Sequence, residues 1–511
     1  MGCRNSKPVA ATNEESGGES TVTMVNLNDS NDHKPVPPNI NTNVAAPVPP
    51  PQPARKSSIT NLFSLNNSTA EQTSGGSATY PAPLTSQRES SRSIITPGQR
   101  VEMNRRASLE DFLLSKAVVK AIDAATTELN LAQPPDAVGV NFPQLLEFPV
   151  RAFKLSNLLS LSLKNNKLDK LPTEFGIKFS LLQSLDISEN QLTVLPDCIC
   201  DCTKLETLDI SENMIVALPS IMNKLTNLKT LIAFKNNLTS LPEELSNCTQ
   251  LETVNVFNNK ILRISPTFGT AWINIKEFNA GSNKLKSFPP IPGWTKLTRL
   301  ALQWNGIVEI SDLSITQDTL TQFQINDNAL STFPNFGEAK VLTLIDISSN
   351  MITEIPDTII KSCQALETLT IRKNKISKLS NELLSLPKLA LLDIQENELS
   401  EIPSTISNLK NSLITLLINK NNISLVPAAL KDCTLLQRVS LEGNPLNYSD
   451  ESLKPILWDV KDICIANGGW LRTSGTAIGS RPKPTPVDDT TTTTSTENAE
   501  NPTNNEETVT A

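Results

Sequence analysis

The stretch Leu182-Gln183-Ser184-Leu185-Asp186-Ile187-Ser188-Glu189-Asn190-Gln191-Leu192-Thr193-Val194-Leu195-Pro196 carries a strand and a turn in fifteen residues. Leu182, Leu185 and Ile187 are placed to point inward, while Ser184, Asp186 and Ser188 alternate outward, as on a half-buried strand. Asn190 follows at the turn, Leu192 and Leu195 pack behind it, and Pro196 ends the segment. The skeleton L-x-x-L-x-L-x-x-N-x-L comes round thirteen times between Leu158 and Leu446. Its asparagines are Asn166, Asn190, Asn213, Asn236, Asn259, Asn283, Asn305, Asn328, Asn350, Asn374, Asn397, Asn421 and Asn444, at steps of 22 to 24 residues.

A period in this range with this pattern predicts a leucine-rich repeat solenoid, an α/β horseshoe of about thirteen repeats. The turn after each strand buries backbone groups that no sheet ladder reaches. The asparagine amide is expected to bond them, because a buried polar group left unpaired costs about 1–3 kcal/mol. The Leu-Pro or Ile-Pro step recurs at Pro172, Pro219, Pro242, Pro356 and Pro403. Proline removes an N–H and fixes φ, which suits an irregular convex segment rather than a long helix. One repeat cannot bury its own leucines, so stability comes from stacking neighbours.

The chain divides into five parts: an arm over 1–104, a cap over 105–157, the repeats over 158–446, a second cap over 447–473 and a tail over 474–511. Arg106 to Leu131 reads as a helix, with Ser108 and Asp111 resembling a capping box and Leu109, Phe112, Leu113, Ala117, Ala121, Ile122 and Leu129 forming an apolar stripe. Leu145 and Phe148-Pro149 read as a degenerate half-repeat. Leu453, Ile456, Leu457, Val460 and Ile463 predict a closing helix onto which Trp470 and Leu471 fold back. The two arms are rich in Ser, Asn, Thr and Pro, hold few large apolar groups, and are expected to be disordered.

The formal net charge of −8 supplies no basic field for nucleic acid. No apolar run reaches the ~18 residues of a membrane span, and no secretory signal is visible, so the default compartment is the cytosol. Cys198-Ile199-Cys200-Asp201-Cys202 invites a metal reading, but the spacing is not C-x₂-C and the single histidine, His33, is remote. Cys202, Cys248, Cys363 and Cys433 sit three residues before the first leucine of the next repeat, the slot that Leu225, Trp272, Trp294 and Leu386 fill elsewhere. They are expected to be small core hydrophobes, whereas Cys198 and Cys200 are expected to face water. No metal or cofactor is predicted.

Met1-Gly2-Cys3-Arg4-Asn5-Ser6 fits the N-myristoylation pattern, with Gly2 as acceptor. One myristoyl chain binds membranes only marginally, K of about 10⁴ M⁻¹, so a second signal is required. Arg4 and Lys7 are the only basic residues of the first thirty, which excludes a polybasic patch. Cys3 is therefore the expected palmitate acceptor, and the cytoplasmic face of a membrane, the plasma membrane first, the expected location. An arm of this length, treated as flexible coil, spans roughly 50–60 Å and would hold the solenoid near the membrane. Within it, Pro50-x-x-Pro53-x-Arg55 matches a Src-homology-3 ligand, with a stiff spacer as the competing reading. Arg105-Arg106-Ala107-Ser108 suits a basophilic kinase, and phosphate on Ser108 would meet the positive end of the helix.

The repeat phase also predicts the concave, binding surface. Asp186, Glu189, Asp209 and Glu212, with Ser188 and Ser211, form an expected acidic patch. Ile232, Phe234, Lys235, Asn255 and Phe257 come next along the chain, then Arg299, Gln303 and Trp304. Aromatic residues are only 4% of the chain, so three in outward slots of one band mark a candidate contact surface. The competing reading is that bulky side chains merely cover the sheet. Asp346, Arg372, Lys373, Asp393, Glu396 and Lys420 make a mixed charged face beyond.

The 23-residue spacing with Leu-Pro steps, over about Leu145 to Trp470, resembles the intracellular Ras-group leucine-rich repeat proteins, the Sur-8-like scaffolds. That resemblance implies a scaffold for small GTPases or protein phosphatase 1 catalytic subunits. The Met1 to Ser6 start is not part of that pattern, and Arg100-Val101-Glu102-Met103 is a poor R-V-x-F match because Met replaces the aromatic. No phosphate-binding loop, H-E-x-x-H or G-x-S-x-G motif is present. The expected function is thus a non-catalytic membrane-tethered adaptor, with a cortical cytoskeleton or adhesion organiser, or a regulatory subunit of a separate enzyme, as alternatives.

Overall fold

The computed structural model describes residues 121, 126–132, 144–474, 478 and 481. All of them fall in one compact unit, residues 92–511. Arm residues 1–104, with the acylation and Src-homology-3 expectations, lie outside the described residues, as does Ser108 with its kinase site.

Each repeat contributes one three-residue strand to a fifteen-stranded sheet in which the strands succeed one another in chain order and every pairing is parallel. Corresponding positions stay in step: Leu161 pairs with Leu185, Leu185 with Leu208, and Leu208 with Leu231. The Leu-Pro and Ile-Pro steps lead into short turns of 3-10 helix, such as Asp197–Asp201 and Glu243–Asn247, or into a short α-helix, such as Asp357–Ile360. A second pairing, Ser287–Phe288 with Glu309–Ile310, lies outside the main sheet. The inward leucines and isoleucines form one continuous buried core. This is a leucine-rich repeat solenoid, as the period predicted.

The asparagines join one repeat to the next. Asn190 Nδ2 donates to Ile187 O (3.1 Å) and Ser188 O (3.0 Å) of its own turn, and to Leu163 O (3.0 Å) of the repeat before. Its Oδ1 accepts from Leu168 N at 3.0 Å, again in the preceding repeat. The same arrangement recurs from Asn213 through Asn421, and Asn444 makes three of the four bonds, donating to Ile418 O and Leu441 O and accepting from Ile423 N. One side chain thus satisfies four backbone groups, and every turn is tied to its neighbour.

The residue before each asparagine has a positive φ, from 52° at Lys235 to 57° at Asn165. Only the last repeat places glycine there, Gly443 at 71°. Non-glycine residues rarely adopt this region. Its recurrence shows that the asparagine bonds, once made on both sides, hold the turn left-handed whatever side chain precedes them.

The helix expected over Arg106 to Leu131 does not run to its end. Ala121 is helical, but Glu128–Asn130 is a strand paired in parallel with Ser160–Ser162, and Leu129 and Leu131 are buried in the core. Asn166 treats this segment as a preceding repeat: its Nδ2 donates to Leu131 O at 3.0 Å and its Oδ1 accepts from Leu145 N at 2.8 Å. In the sequence, the interval from Leu131 to Leu145 breaks the repeat spacing. Phe148 packs edge-on against Phe175 at 5.4 Å, closing this end.

At the other end, Leu453–Ala466 is the expected helix, burying Leu453, Leu457, Val460 and Cys464. Trp470–Arg472 adds the last strand of the sheet, paired with Arg438–Ser440. Gly469 permits this approach, because a Cβ there would stand 1.8 Å from Gln437 O.

The cysteine expectation divides. Cys202, Cys248, Cys363 and Cys433 are buried in the convex core. Cys198 and Cys200, expected to face water, are buried as well. The tight turn Asp197–Asp201 packs both against neighbouring repeats: Cys198 Sγ lies 3.4 Å from Pro172 O, and Cys200 Sγ lies 3.9 Å from Met222 Sδ. Burial pushes the Cys200, Cys202, Cys248 and Cys363 thiols up to about 12. Among the described residues, no group of three His, Cys, Asp or Glu side chains is placed to hold a metal, and no helix is long and apolar enough to cross a membrane.

Candidate functional site

The outward slots of the strands form columns along the sheet. One column runs Asp186, Asp209, Ile232, Asn255, Asn279, with Asp186 paired across from Asp209 and Asp209 across from Ile232. Its oxygen-bearing members cap the chain two residues on. Asp186 Oδ1 accepts from Ser188 N at 3.0 Å, Asp209 Oδ1 from Ser211 N at 2.9 Å, and Asn255 Oδ1 from Phe257 N at 3.1 Å. The Ser188 and Ser211 hydroxyls donate to the same aspartate oxygens, both at 2.6 Å. This tucks the two serines under the carboxylates, so they are buried rather than presented to a partner as expected.

The acidic patch is present but partly neutralised. Glu189 pairs with Lys164 at 3.1 Å, and Glu212 with Lys235 at 3.3 Å. Such partly exposed pairs contribute little stability, of order 0–1 kcal/mol. They leave Asp186 and Asp209 without ion pairs of their own among the described residues. Burial pushes the Asp209 carboxyl above its ordinary value; the two Ser211 hydrogen bonds oppose this and the facing Asp186 adds to it. Burial acts to lower the Lys164 pKa, but its bond to Glu189 and the fields of Glu189, Asp186 and Asp209 raise it.

The aromatic band is partly assembled into a pair. Phe257 and Trp304, two repeats apart, bring their ring centroids to 6.0 Å with a 58° tilt. The repeat between them carries Gly281 in the slot that holds Phe257 in the repeat before and Gln303 in the repeat after. Gln303 lies on that glycine: a Cβ at Gly281 would stand 2.7 Å from Gln303 Cδ. Gln303 Oε1 is shielded from solvent and accepts no hydrogen bond, an arrangement that costs about 1–3 kcal/mol. Trp304 is 43% exposed and sits at φ 54°. Phe234 is not part of the pair; Lys235 Nζ stands 6.0 Å from its ring centroid. Ile232 and Asn255 are half-buried beside it. Desolvation lowers the Arg299 pKa, and the neighbouring Glu277 acts against that shift. Farther along, Lys420 pairs with Glu396 at 3.1 Å.

Sequence phase placed these side chains on one face. It missed the turn-capping role of Asp186, Asp209 and Asn255, the pairing of both glutamates, and the Phe257–Trp304 contact. Gly281 in an otherwise occupied slot was the signal available for the last.

Known proteins agree with this geometry. Family descriptions match two parts of the chain, "Leucine-rich repeat region" over residues 151–269 and "Leucine rich repeat" over residues 340–399. The human leucine-rich repeats and immunoglobulin-like domains protein 3 is 35% identical over 100 residues, which is 19% of this chain and only 9% of that protein. Among solved structures, a leucine-rich repeat protein of Leptospira interrogans superposes with a TM-score of 0.58 at 27% identity, covering 65% of this chain and 88% of the other. An internalin of Listeria monocytogenes superposes with a TM-score of 0.52 at 19% identity, covering 71% and 94%. Toll in the Drosophila Toll–Spatzle complex gives a TM-score of 0.53 at 19% identity, over 65% and 44%. The chain therefore contains leucine-rich repeat domains built on the leucine-rich repeat solenoid fold.

Proposed function

We propose that this protein is a non-catalytic adaptor that binds protein partners on the sheet face of its solenoid, at the band from Ile232 to Trp304. The observation that carries this reading is the Phe257–Trp304 pair on the sheet face, in which Phe257 is half-buried and Trp304 is 43% exposed. Large aromatics of this kind dominate the binding energy of interfaces. The fold supports it too, since the Toll–Spatzle neighbour was solved as a complex. The non-catalytic reading is supported by the fold, which the leucine-rich repeat descriptions also match, and by the sequence, whose one histidine, His33, lies outside the repeats.

The finer reading rests on the sequence. Acylation at Gly2 and Cys3 tethers the adaptor to the cytoplasmic face of the plasma membrane, and the repeats then present a signalling partner of the small GTPase or phosphatase class there. Ser108 is the regulatory phosphosite of this scheme. Affinity capture from cells, comparing the wild type with Phe234→Ala/Phe257→Ala, tests the partner class. A GTPase or phosphatase recovered by the wild type and lost by the variant supports the adaptor; actin regulators support the cortical organiser instead. A Gly2→Ala protein that still sediments with membranes removes the tether.

A further inference from the structure

We propose that the band receives an extended peptide segment of a partner, with a large apolar side chain packed on the Phe257–Trp304 pair and basic residues lying over Asp186 and Asp209. This rests on the adaptor reading above and specifies the chemistry of the partner.

Three observations carry it. First, the two aspartates face each other on adjacent strands. Like charges directly opposite destabilise a sheet, and the nearby lysines, Lys164 and Lys235, are committed to Glu189 and Glu212. A cation brought by a partner relieves that repulsion. Second, the slot does not require a carboxylate. Asn255 and Asn279 make the same turn-capping bond to the backbone, at 3.1 and 3.0 Å, so the cap does not need the charge at Asp186 and Asp209; the carboxylates add serine hydroxyl bonds, from Ser188, Ser211 and, to Asp186 Oδ2, Ser162. Third, the Gln303 amide rests on Gly281 directly between the two aromatic repeats, its Oε1 lacking a donor. Rotated off the glycine, it accepts a backbone N–H from a chain lying over the ring pair.

Strand spacing sets the length. Neighbouring strands are about 4.8 Å apart, so the centre of the aspartate pair lies about 17 Å from the centre of the aromatic pair. An extended chain covers that distance in about five residues.

The test pans a random dodecapeptide phage library against the full chain, then measures selected peptides by fluorescence anisotropy. The expected result is an aromatic or large aliphatic residue with Lys or Arg about five positions away. Phe257→Ala/Trp304→Ala is expected to weaken binding by about tenfold or more. Asp186→Asn/Asp209→Asn, which keeps the capping bonds, is expected to weaken it several-fold and to flatten its salt dependence. Circular dichroism of both variants checks that the fold is intact. Selected peptides without the basic flank, or unaffected by the asparagine variant, overturn the proposal, as does failure to select any peptide. The adaptor reading survives those outcomes if whole-protein capture still depends on Phe234 and Phe257.

Discussion

Asn213 Nδ2 stands 3.0 Å from Ile187 O, a carbonyl that belongs to the repeat before its own. Its Oδ1 takes Leu192 N, also of that repeat, at 3.0 Å. The coupling between adjacent coils is thus polar as well as hydrophobic, and it sits on one side chain per repeat.

Replacing that amide by a carboxylate aims a negative charge at three carbonyls and removes every donor. Asn213→Asp is expected to cost about 3 kcal/mol or more, since buried acceptors are left unpaired. Urea or thermal unfolding monitored by circular dichroism measures it. A variant as stable as the wild type would show that water replaces the amide without loss.

Asp209 bears on pH dependence. Its folded pKa is raised by burial and by Asp186, so folding favours the protonated form and the ionised carboxylate opposes folding at neutral pH. Asp209→Asn keeps the bond to Ser211 N and is expected to raise the melting temperature at pH 7 by about 1–3 °C. The advantage should shrink as pH falls through the raised pKa towards the ordinary value of about 3.9, because the wild-type cost disappears there. Melting curves of both proteins from pH 7 to pH 4 check the sign.

The buried thiols predict a chemical result. Cys200, Cys202, Cys248 and Cys363 have pKa values pushed up to about 12, leaving almost no thiolate at pH 8. Iodoacetamide on the native protein should leave these four unlabelled by peptide mass spectrometry, and denaturant should expose them all. Native labelling of Cys200 would mean that the turn Asp197–Asp201 opens readily.

Gly469 controls the last strand. A methyl group there meets Gln437 O at 1.8 Å and forces apart the Trp470 N to Gln437 O bond of 2.7 Å. Gly469→Ala is expected to destabilise by about 1–3 kcal/mol, as overpacking does. Removing residues 447–473 uncovers the core of the final repeat, and size-exclusion chromatography should then report aggregates.

The period of the asparagines was enough to derive the solenoid and the face each strand residue takes, because one spacing serves many near-equivalent coils and neighbour contacts repeat with it. Phe257, Trp304, Asp186 and Asp209 could be assigned to the outward face for the same reason. Contacts between coils could not be read this way. The meeting of Phe257 with Trp304 depends on a glycine one repeat from each, the shielding of Gln303 Oε1 on how its amide settles there, and the burial of Cys198 and Cys200 on how closely a 3-10 turn packs on its neighbours. The strand at Glu128–Asn130 was hidden because Leu129 also fits a helical stripe and the interval from Leu131 to Leu145 breaks the repeat spacing. Periodicity assigns each residue a slot; only the packed chain decides which side chains from different slots share the same space.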